Sequence, residues 1–328
     1  MKTLSRFFAI VATLLATLFA SAAMALDLPG PIVSAEWLAA NKNAVQIVDV
    51  RSDVKSYTRE PVLSTDKKTG KSLLDEVGGY LPGALIMDYN VVRSEKMLDG
   101  QKTKYLIPEK EELESRLRAI GLTADKPIVL VSLGIDPSDV MEALRLYWTL
   151  KVYGEDRVAI LDGGLAGWLV SGRSYETGAL KKATPGNWSA KAYRAALVAD
   201  SNAVAAASKS TSVLLIDGRD AGNFYGLTKR AYVSSYGHIA NAKSLPPEVL
   251  FRSVQGALYF LNKSQYASLV KLAGIDANAP VITYCNSGHL ASGTWFVMHE
   301  MLGNRNASLY DGALYLWSRE NRPLVGVL

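Results

Sequence analysis

Short runs of apolar, β-branched residues recur along this chain. Each is bounded by Gly, Pro or Asp and followed by apolar residues at helical spacing. Gln46-Ile47-Val48-Asp49-Val50-Arg51 reads as a short buried strand, and so does Leu214-Leu215-Ile216-Asp217-Gly218-Arg219. Further strands are predicted from Pro127 to Val131 and from Pro280 to Tyr284. Two more lead into Asp162-Gly163-Gly164 and Asp311-Gly312-Ala313. A helix is predicted from Glu109 to Ile120, where Leu113, Leu117 and Ile120 share one face. Pro108 sits at its start and Gly121 at its end, the usual asymmetry of helix punctuation. A second helix is predicted from Lys263 to Ala273, closed by Gly274. Strands alternating with helices predict an α/β fold built on mainly parallel sheets.

The same order of elements occurs twice, which indicates an internal repeat. Gly79-Tyr80-Leu81-Pro82-Gly83-Ala84 in the first half matches Gly237-His238-Ile239-Ala240-Asn241-Ala242 in the second. Trp168 follows one Asp-Gly pair and Trp317 the other. The expected domains are 28–176 and 198–328, each a parallel sheet flanked by helices. Residues 177–197, with Gly, Pro, Lys and Ala and little periodicity, read as the linker.

Charge and composition narrow the function. The formal net charge is +5, and the basic residues are scattered rather than run together. That pattern argues against a nucleic-acid-binding stripe and suits small anions. Lys2 and Arg6 precede an apolar run over 7–20, and Ala23-Met24-Ala25 supplies small residues at a cleavage site. Residues 1–25 therefore read as a secretory signal, cleaved after Ala25. The run is too short to favour a membrane span. A periplasmic or secreted protein is expected, with no membrane association after signal removal. The chain holds one cysteine and three histidines, widely spaced. No metal-ligand pattern results, and no Gly-rich phosphate motif follows a strand, so no cofactor is expected.

The lone cysteine stands where chemistry is expected. In α/β sheets, ligands bind beyond the carboxyl ends of strands. The predicted strand Val281-Ile282-Thr283-Tyr284 delivers Cys285 there. Asn286-Ser287-Gly288-His289 follow, and a helix opens near Leu290-Ala291-Ser292. A tight turn into a helix directs backbone N–H groups and partial positive charge at its centre. A cysteine in such a turn favours its thiolate, the nucleophilic form, and the same cradle would stabilise a persulfide. Gly288 supplies conformational freedom. With no partner cysteine, covalent transfer through one sulfur fits better than disulfide exchange. The corresponding position in the first half is Ser132.

These motifs, in this order and twice over, resemble the tandem-domain rhodaneses, which include thiosulfate and 3-mercaptopyruvate sulfurtransferases. The resemblance covers nearly all of the chain after residue 25. Asp49-Val50-Arg51 and Asp217-Gly218-Arg219 resemble the family's Asp-x-Arg strand ends. Tyr80-Leu81-Pro82-Gly83-Ala84 and Gly237-His238-Ile239 resemble its Gly-His-Ile-Pro-Gly-Ala stretches. Cys285 to Ser292 resembles its active loop, and Tyr310-Asp311-Gly312 with Trp317 its closing motif. The resemblance implies a catalytic cysteine in the second domain, with the first domain helping to wall the site. It implies sulfane-sulfur transfer from a small anionic donor, through a Cys285 persulfide, to a thiol, cyanide or protein acceptor.

The expected substrate-binding residues are Arg219, Asn286, Ser287, Gly288, His289 and Leu290. Several positions depart from the family. Asn286-Ser287 replaces both the Arg-Lys of thiosulfate enzymes and the Gly-Ser of mercaptopyruvate enzymes. Asn223 stands where an arginine is usual, and Tyr80 where a histidine is. His289 is expected to bind an anion when protonated or to shuttle a proton. Arg219 can hold a substrate oxyanion or brace the loop through Asp217. Lys229 and Arg230 lie in a flexible-looking segment that offers two readings, a reach into the pocket or a solvated face, and the solvated face fits them better. His238 is expected to make a structural hydrogen bond, and His299 to pack on a helix. The competing readings are a non-catalytic sulfur- or anion-binding module and a cysteine phosphatase. Ala291 stands where a phosphatase needs a phosphate-clamping arginine.

Overall fold

The computed structural model describes residues 26–98, 100–180 and 182–327. The predicted secretory segment at 1–25 lies outside the described residues. Among the described residues, no helix is long and apolar enough to cross a membrane.

The first half contains strands β1 (Ile32–Val33), β2 (Gln46–Arg51), β3 (Val62–Thr65), β4 (Ser72–Glu76), β5 (Leu85–Asp88), β6 (Ser94–Leu98), β7 (Gln101–Leu106), β8 (Ile128–Val131) and β9 (Val158–Leu161). Its helices are α1 (Ala35–Asn41), α2 (Lys110–Ala119), α3 (Pro137–Val152) and α4 (Gly164–Val170). The second half contains β10 (Val198–Ala199), β11 (Leu214–Asp217), β12 (Lys243–Ser244), β13 (Phe251–Val254), β14 (Ala257–Phe260), β15 (Val281–Tyr284) and β16 (Ala307–Tyr310). Helices α5 (Ser201–Ala207), α6 (Ala221–Tyr225), α7 (Lys263–Leu272), α8 (Ala291–Phe296) and α9 (Ala313–Arg319) accompany them.

Each half forms a five-stranded sheet, ordered β1-β9-β8-β2-β5 and β10-β16-β15-β11-β12. Every pairing in both sheets is parallel. The two orders correspond strand for strand, so the sequence repeat is a repeat of architecture. The β3–β4, β6–β7 and β13–β14 pairs form separate antiparallel hairpins.

Helix α3 shows why the halves do not separate. An Asp136–Asp139 capping box and Pro137 start it. Nearly every side chain from Asp139 to Val152 is then buried. A helix buried all round lies inside a core rather than on a surface. Here α3 packs both on its own sheet and on α8 of the second domain. Gly293 of α8 permits the close approach, because a Cβ there would lie 2.0 Å from the Met141 sulfur. One apolar cluster accordingly runs through both domains, joining Leu144, Tyr147 and Trp148 to Trp295 and Phe296.

The domains also exchange hydrogen bonds in a pseudo-symmetric way. The Asp162 carboxylate of the first domain accepts from the Phe260 N–H at 2.9 Å. The matching Asp311 carboxylate of the second accepts from the Ile107 N–H at 2.7 Å. Each closing Asp-Gly motif thus seizes the end of the other domain's hairpin. The segment read as a linker is strapped down rather than loose. Gly186 and Trp188 donate their N–H groups to Arg118 and Leu122, and the Trp188 ring is buried.

Candidate active site

Strand β15 is buried along its whole length and is followed directly by Cys285, which retains 1% of its surface exposed. The loop that follows is closed over by the start of α9. Leu314 and Tyr315 donate their N–H groups to the carbonyls of Cys285 and Asn286, both at 3.0 Å. Gly288 adopts φ +69°, and a Cβ there would lie 2.6 Å from an Arg145 nitrogen. Glycine is therefore required by both backbone conformation and space.

The first domain carries the same construction around Ser132. Leu165 and Ala166 donate to the carbonyls of Ser132 and Leu133 at 2.8 and 2.9 Å. Gly164 and Ala313 occupy matching positions, with φ of +56° and +51°. The two loops differ in what their amides hold. In the first domain the N–H groups of Gly134, Ile135 and Asp136 all donate to the Asp139 carboxyl group, at 2.7, 3.0 and 2.7 Å. The loop is capped by the chain's own acid. In the second domain Ser292 takes the place of that acid, and its hydroxyl donates to the His289 carbonyl. No acceptor among the described residues takes the N–H groups of Asn286 through Leu290. Asn286, Ser287 and Gly288 are buried. Buried N–H groups are rarely left unpaired, and a turn of this kind can receive an external anion.

Arg219 serves as a brace. Its guanidinium is buried, paired with Asp217 and bonded to the Gly237 carbonyl at 2.9 Å. It reaches the Asn286 side chain at 3.4 Å. Asn223, in the place of the family's extra arginine, accepts from the Asn286 amide at 3.3 Å. Asn286 thus faces other loop-supporting groups. Leu290 forms the entry to α8 and is half-buried.

His289 departs from expectation. Its Nε2 lies 3.0 Å from the Ser138 carbonyl of the first domain. A carbonyl only accepts, so Nε2 carries the proton and Nδ1 is left as an acceptor. Burial, followed by the Arg93 charge, lowers the imidazole to about 3, and Arg145 and Arg230 act in the same direction. The ring is neutral at ordinary pH, which removes the expected role of a protonated anion binder. The arginines around it carry positive charge instead, and the proton-shuttle alternative is left open.

The first domain supplies groups that sequence reasoning missed. Arg145 of α3 donates to the Gly288 carbonyl at 3.0 Å and pairs with Asp311. Arg93 donates to the Ser287 hydroxyl at 3.3 Å. Its guanidinium lies over the Tyr89 and Tyr105 rings, at 4.7 and 4.9 Å. Tyr105 also packs on Tyr232 and Tyr315 of the second domain. Tyr232 interacts with the Ser287 hydroxyl, and burial pushes its phenol above the ordinary tyrosine range. Arg93, Arg145, Tyr89 and Tyr105 approach the loop from across the domain boundary, and Tyr232 meets it from its own domain. No local motif marked them, because their role arises only when two distant segments meet.

Other singled-out residues lie elsewhere. Lys229 donates to the Val233 carbonyl at 2.9 Å. Arg230 is exposed, with its charge felt at His289 and Tyr232. Tyr80 pairs its backbone with Glu176 and sits edge-on to Tyr57 in the first domain. Trp317 is core, with its indole donating to the Pro323 carbonyl. His238 bonds the Phe224 carbonyl at 2.8 Å and stacks on that ring, and His299 stacks on Trp295. Among the described residues, no group of three or more His, Cys, Asp or Glu side chains is arranged to hold a metal ion.

Comparison with known proteins agrees with this construction. The family model described as Rhodanese-like domain matches residues 34–171 and 200–320. A putative thiosulfate sulfurtransferase of Mycobacterium leprae is 27% identical over 302 residues, spanning 90% of this chain and 96% of its own. A 3-mercaptopyruvate sulfurtransferase of Escherichia coli is 27% identical over 296 residues, spanning 89% of this chain and 96% of its own. Among solved structures, an anaerobic ergothioneine biosynthesis enzyme from Chlorobium limicola superposes with a TM-score of 0.71 at 20% identity. That match covers 91% of this chain and 71% of the other. Two matched segments, two matching sheets and relatives that align over 89–90% of this chain lead to one assignment: the chain belongs to the rhodanese-like family and carries the domain twice.

Proposed function

We propose that the protein is a sulfurtransferase that carries sulfane sulfur as a persulfide on Cys285. The Cys285 thiolate attacks the transferable sulfur of a small anionic donor of the thiosulfate or 3-mercaptopyruvate type; with 3-mercaptopyruvate, the carbon–sulfur bond breaks and pyruvate leaves as its enolate, which takes up the thiol proton. With thiosulfate, the sulfur–sulfur bond breaks and sulfite leaves with the electron pair, leaving Cys–S–S⁻. A thiolate, cyanide or protein acceptor then attacks the outer sulfur, and Cys285 departs as its thiolate. Two half-reactions through one covalent intermediate imply ping-pong kinetics.

The observation that carries this reading is the contrast between the two loops. Asp139 occupies the amides of the first, while the matching amides beside Cys285 are free of described acceptors. A persulfide anion fits a set of inward N–H groups that lack an internal carboxyl group. The relatives named as thiosulfate and 3-mercaptopyruvate sulfurtransferases support the same chemistry. We also propose a periplasmic or secreted location from the pattern of residues 1–25, which cell fractionation tests directly.

Intact-mass measurement after exposure to thiosulfate or mercaptopyruvate tests the reaction. One added sulfur is expected on the wild type and none on Cys285→Ser, which should fold normally. Absence of an adduct with every donor tried would contradict the proposal. The burial of Cys285 favours a second reading, a module that binds sulfur or an anion without turning over. Steady-state assays with several acceptors separate the two, since rapid turnover excludes the second.

A further inference from the structure

One group beside the loop is left incomplete by the protein itself. Tyr89 follows β5 and retains 3% of its surface exposed. Its hydroxyl is buried without a hydrogen-bond partner. Leaving such a group unpaired is costly, and a buried hydroxyl normally finds an acceptor. Its ring packs tilted against the His289 ring, with centroids 4.9 Å apart. The Arg93 guanidinium lies over it at 4.7 Å and continues to the Ser287 hydroxyl at 3.3 Å. Tyr89 is therefore packed against one residue of the active loop, His289, and linked through Arg93 to a second, Ser287, from the opposite domain. These contacts place it beside the loop that carries Cys285.

Resting on the sulfurtransferase reading, we infer that Tyr89 is a catalytic residue whose hydroxyl completes the cradle from the first domain, donating a hydrogen bond to the anionic outer sulfur of the Cys285 persulfide. Burial holds the phenol above its ordinary range, so it stays protonated and able to donate. No proton changes hands, because the O–H group stabilises charge that the two half-reactions already create. The loop amides approach from the second domain and the phenol from the first. The outer sulfur is thereby held on two sides, and neither domain makes the complete site alone.

The test uses the full chain as wild type, Tyr89→Phe and Cys285→Ser. Persulfide loading and its discharge to a thiol are followed by intact mass in single turnover, alongside kcat, KM and thermal unfolding. Tyr89→Phe should keep its fold, with Tm unchanged or raised, because the lost hydroxyl had no partner. Its kcat should fall on the order of 100-fold, as when an oxyanion-stabilising donor is removed, with KM for the donor little changed. Wild-type kcat in Tyr89→Phe would overturn the inference and leave the sulfurtransferase reading intact. Loss of fold would also overturn it, by showing that the hydroxyl has a structural partner. Failure of the wild type to take up sulfur would instead overturn both readings.

Discussion

Removing Arg145 should uncouple the active loop from the first domain. The side chain is 0% exposed, stacks over Trp148 and pairs with an Asp311 carboxylate that is 8% exposed. It also donates to the Gly288 carbonyl at 3.0 Å and the Tyr105 carbonyl at 3.4 Å. Arg145→Met keeps much of the aliphatic volume but strands Asp311 as a buried charge, with the Ile107 N–H as its remaining described donor. Breaking a buried pair from one side costs about 3–5 kcal/mol. At about 1.4 kcal/mol per decade, the folding constant drops by roughly two to three and a half decades. Asp311→Asn removes the stranded charge and keeps an oxygen for Ile107. The double variant should therefore be more stable than the sum of the singles by about 1–3 kcal/mol. Urea titrations followed by tryptophan fluorescence and circular dichroism measure all four corners of this cycle. An Arg145→Met cost below about 1 kcal/mol, or strict additivity, would show that the pair is not the clamp its geometry suggests. Sulfur loading should fall in Arg145→Met even where the chain is folded, because the Gly288 carbonyl loses its anchor.

The glycine of the active loop and the acid of the inactive one give two more expectations. Gly288→Ala places a Cβ 2.6 Å from Arg145 and 3.2 Å from the Asp311 carbonyl at a left-handed φ. It should abolish most sulfur loading, by intact mass, while far-UV circular dichroism remains native. In the first domain, burial raises the Asp139 carboxyl group to about 7 against three amides that pull it down. A folded-state value above the unfolded one means that the native protein binds the proton more tightly. This contribution is complete below the unfolded value of 3.8 and is lost as pH rises through about 7. Stability of the wild type relative to Asp139→Asn should therefore decline from pH 4 towards neutrality in urea titrations, and an opposite slope would reverse the assignment.

Much of the site was legible because the relevant signals are local. The strand ending at Cys285, the glycine needed for the turn and the following helix are contiguous in sequence. The Asp217–Arg219 brace is separated by a single residue. The duplicate loop at Ser132 was equally visible, but its meaning was not. Asp139 looks like an ordinary helix-start acid, and only the coordinates show three loop amides on its carboxyl group. For His289 the sequence left open a protonated anion binder or a proton shuttle, and the burial and arginines that lower its imidazole come from distant segments.

The sequence alone determined the two parallel α/β sheets, their order and the half that carries the thiol. Periodicity, turn residues and a lone cysteine are properties of neighbours along the chain. Tertiary structure decided how each domain completes the other: Arg145 and Arg93 on the active loop, Tyr89 against His289, and paired hairpins held by Asp162 and Asp311. Those contacts join residues more than 90 positions apart. Their strength comes from shared burial, which exists only once both domains have packed around α3 and α8.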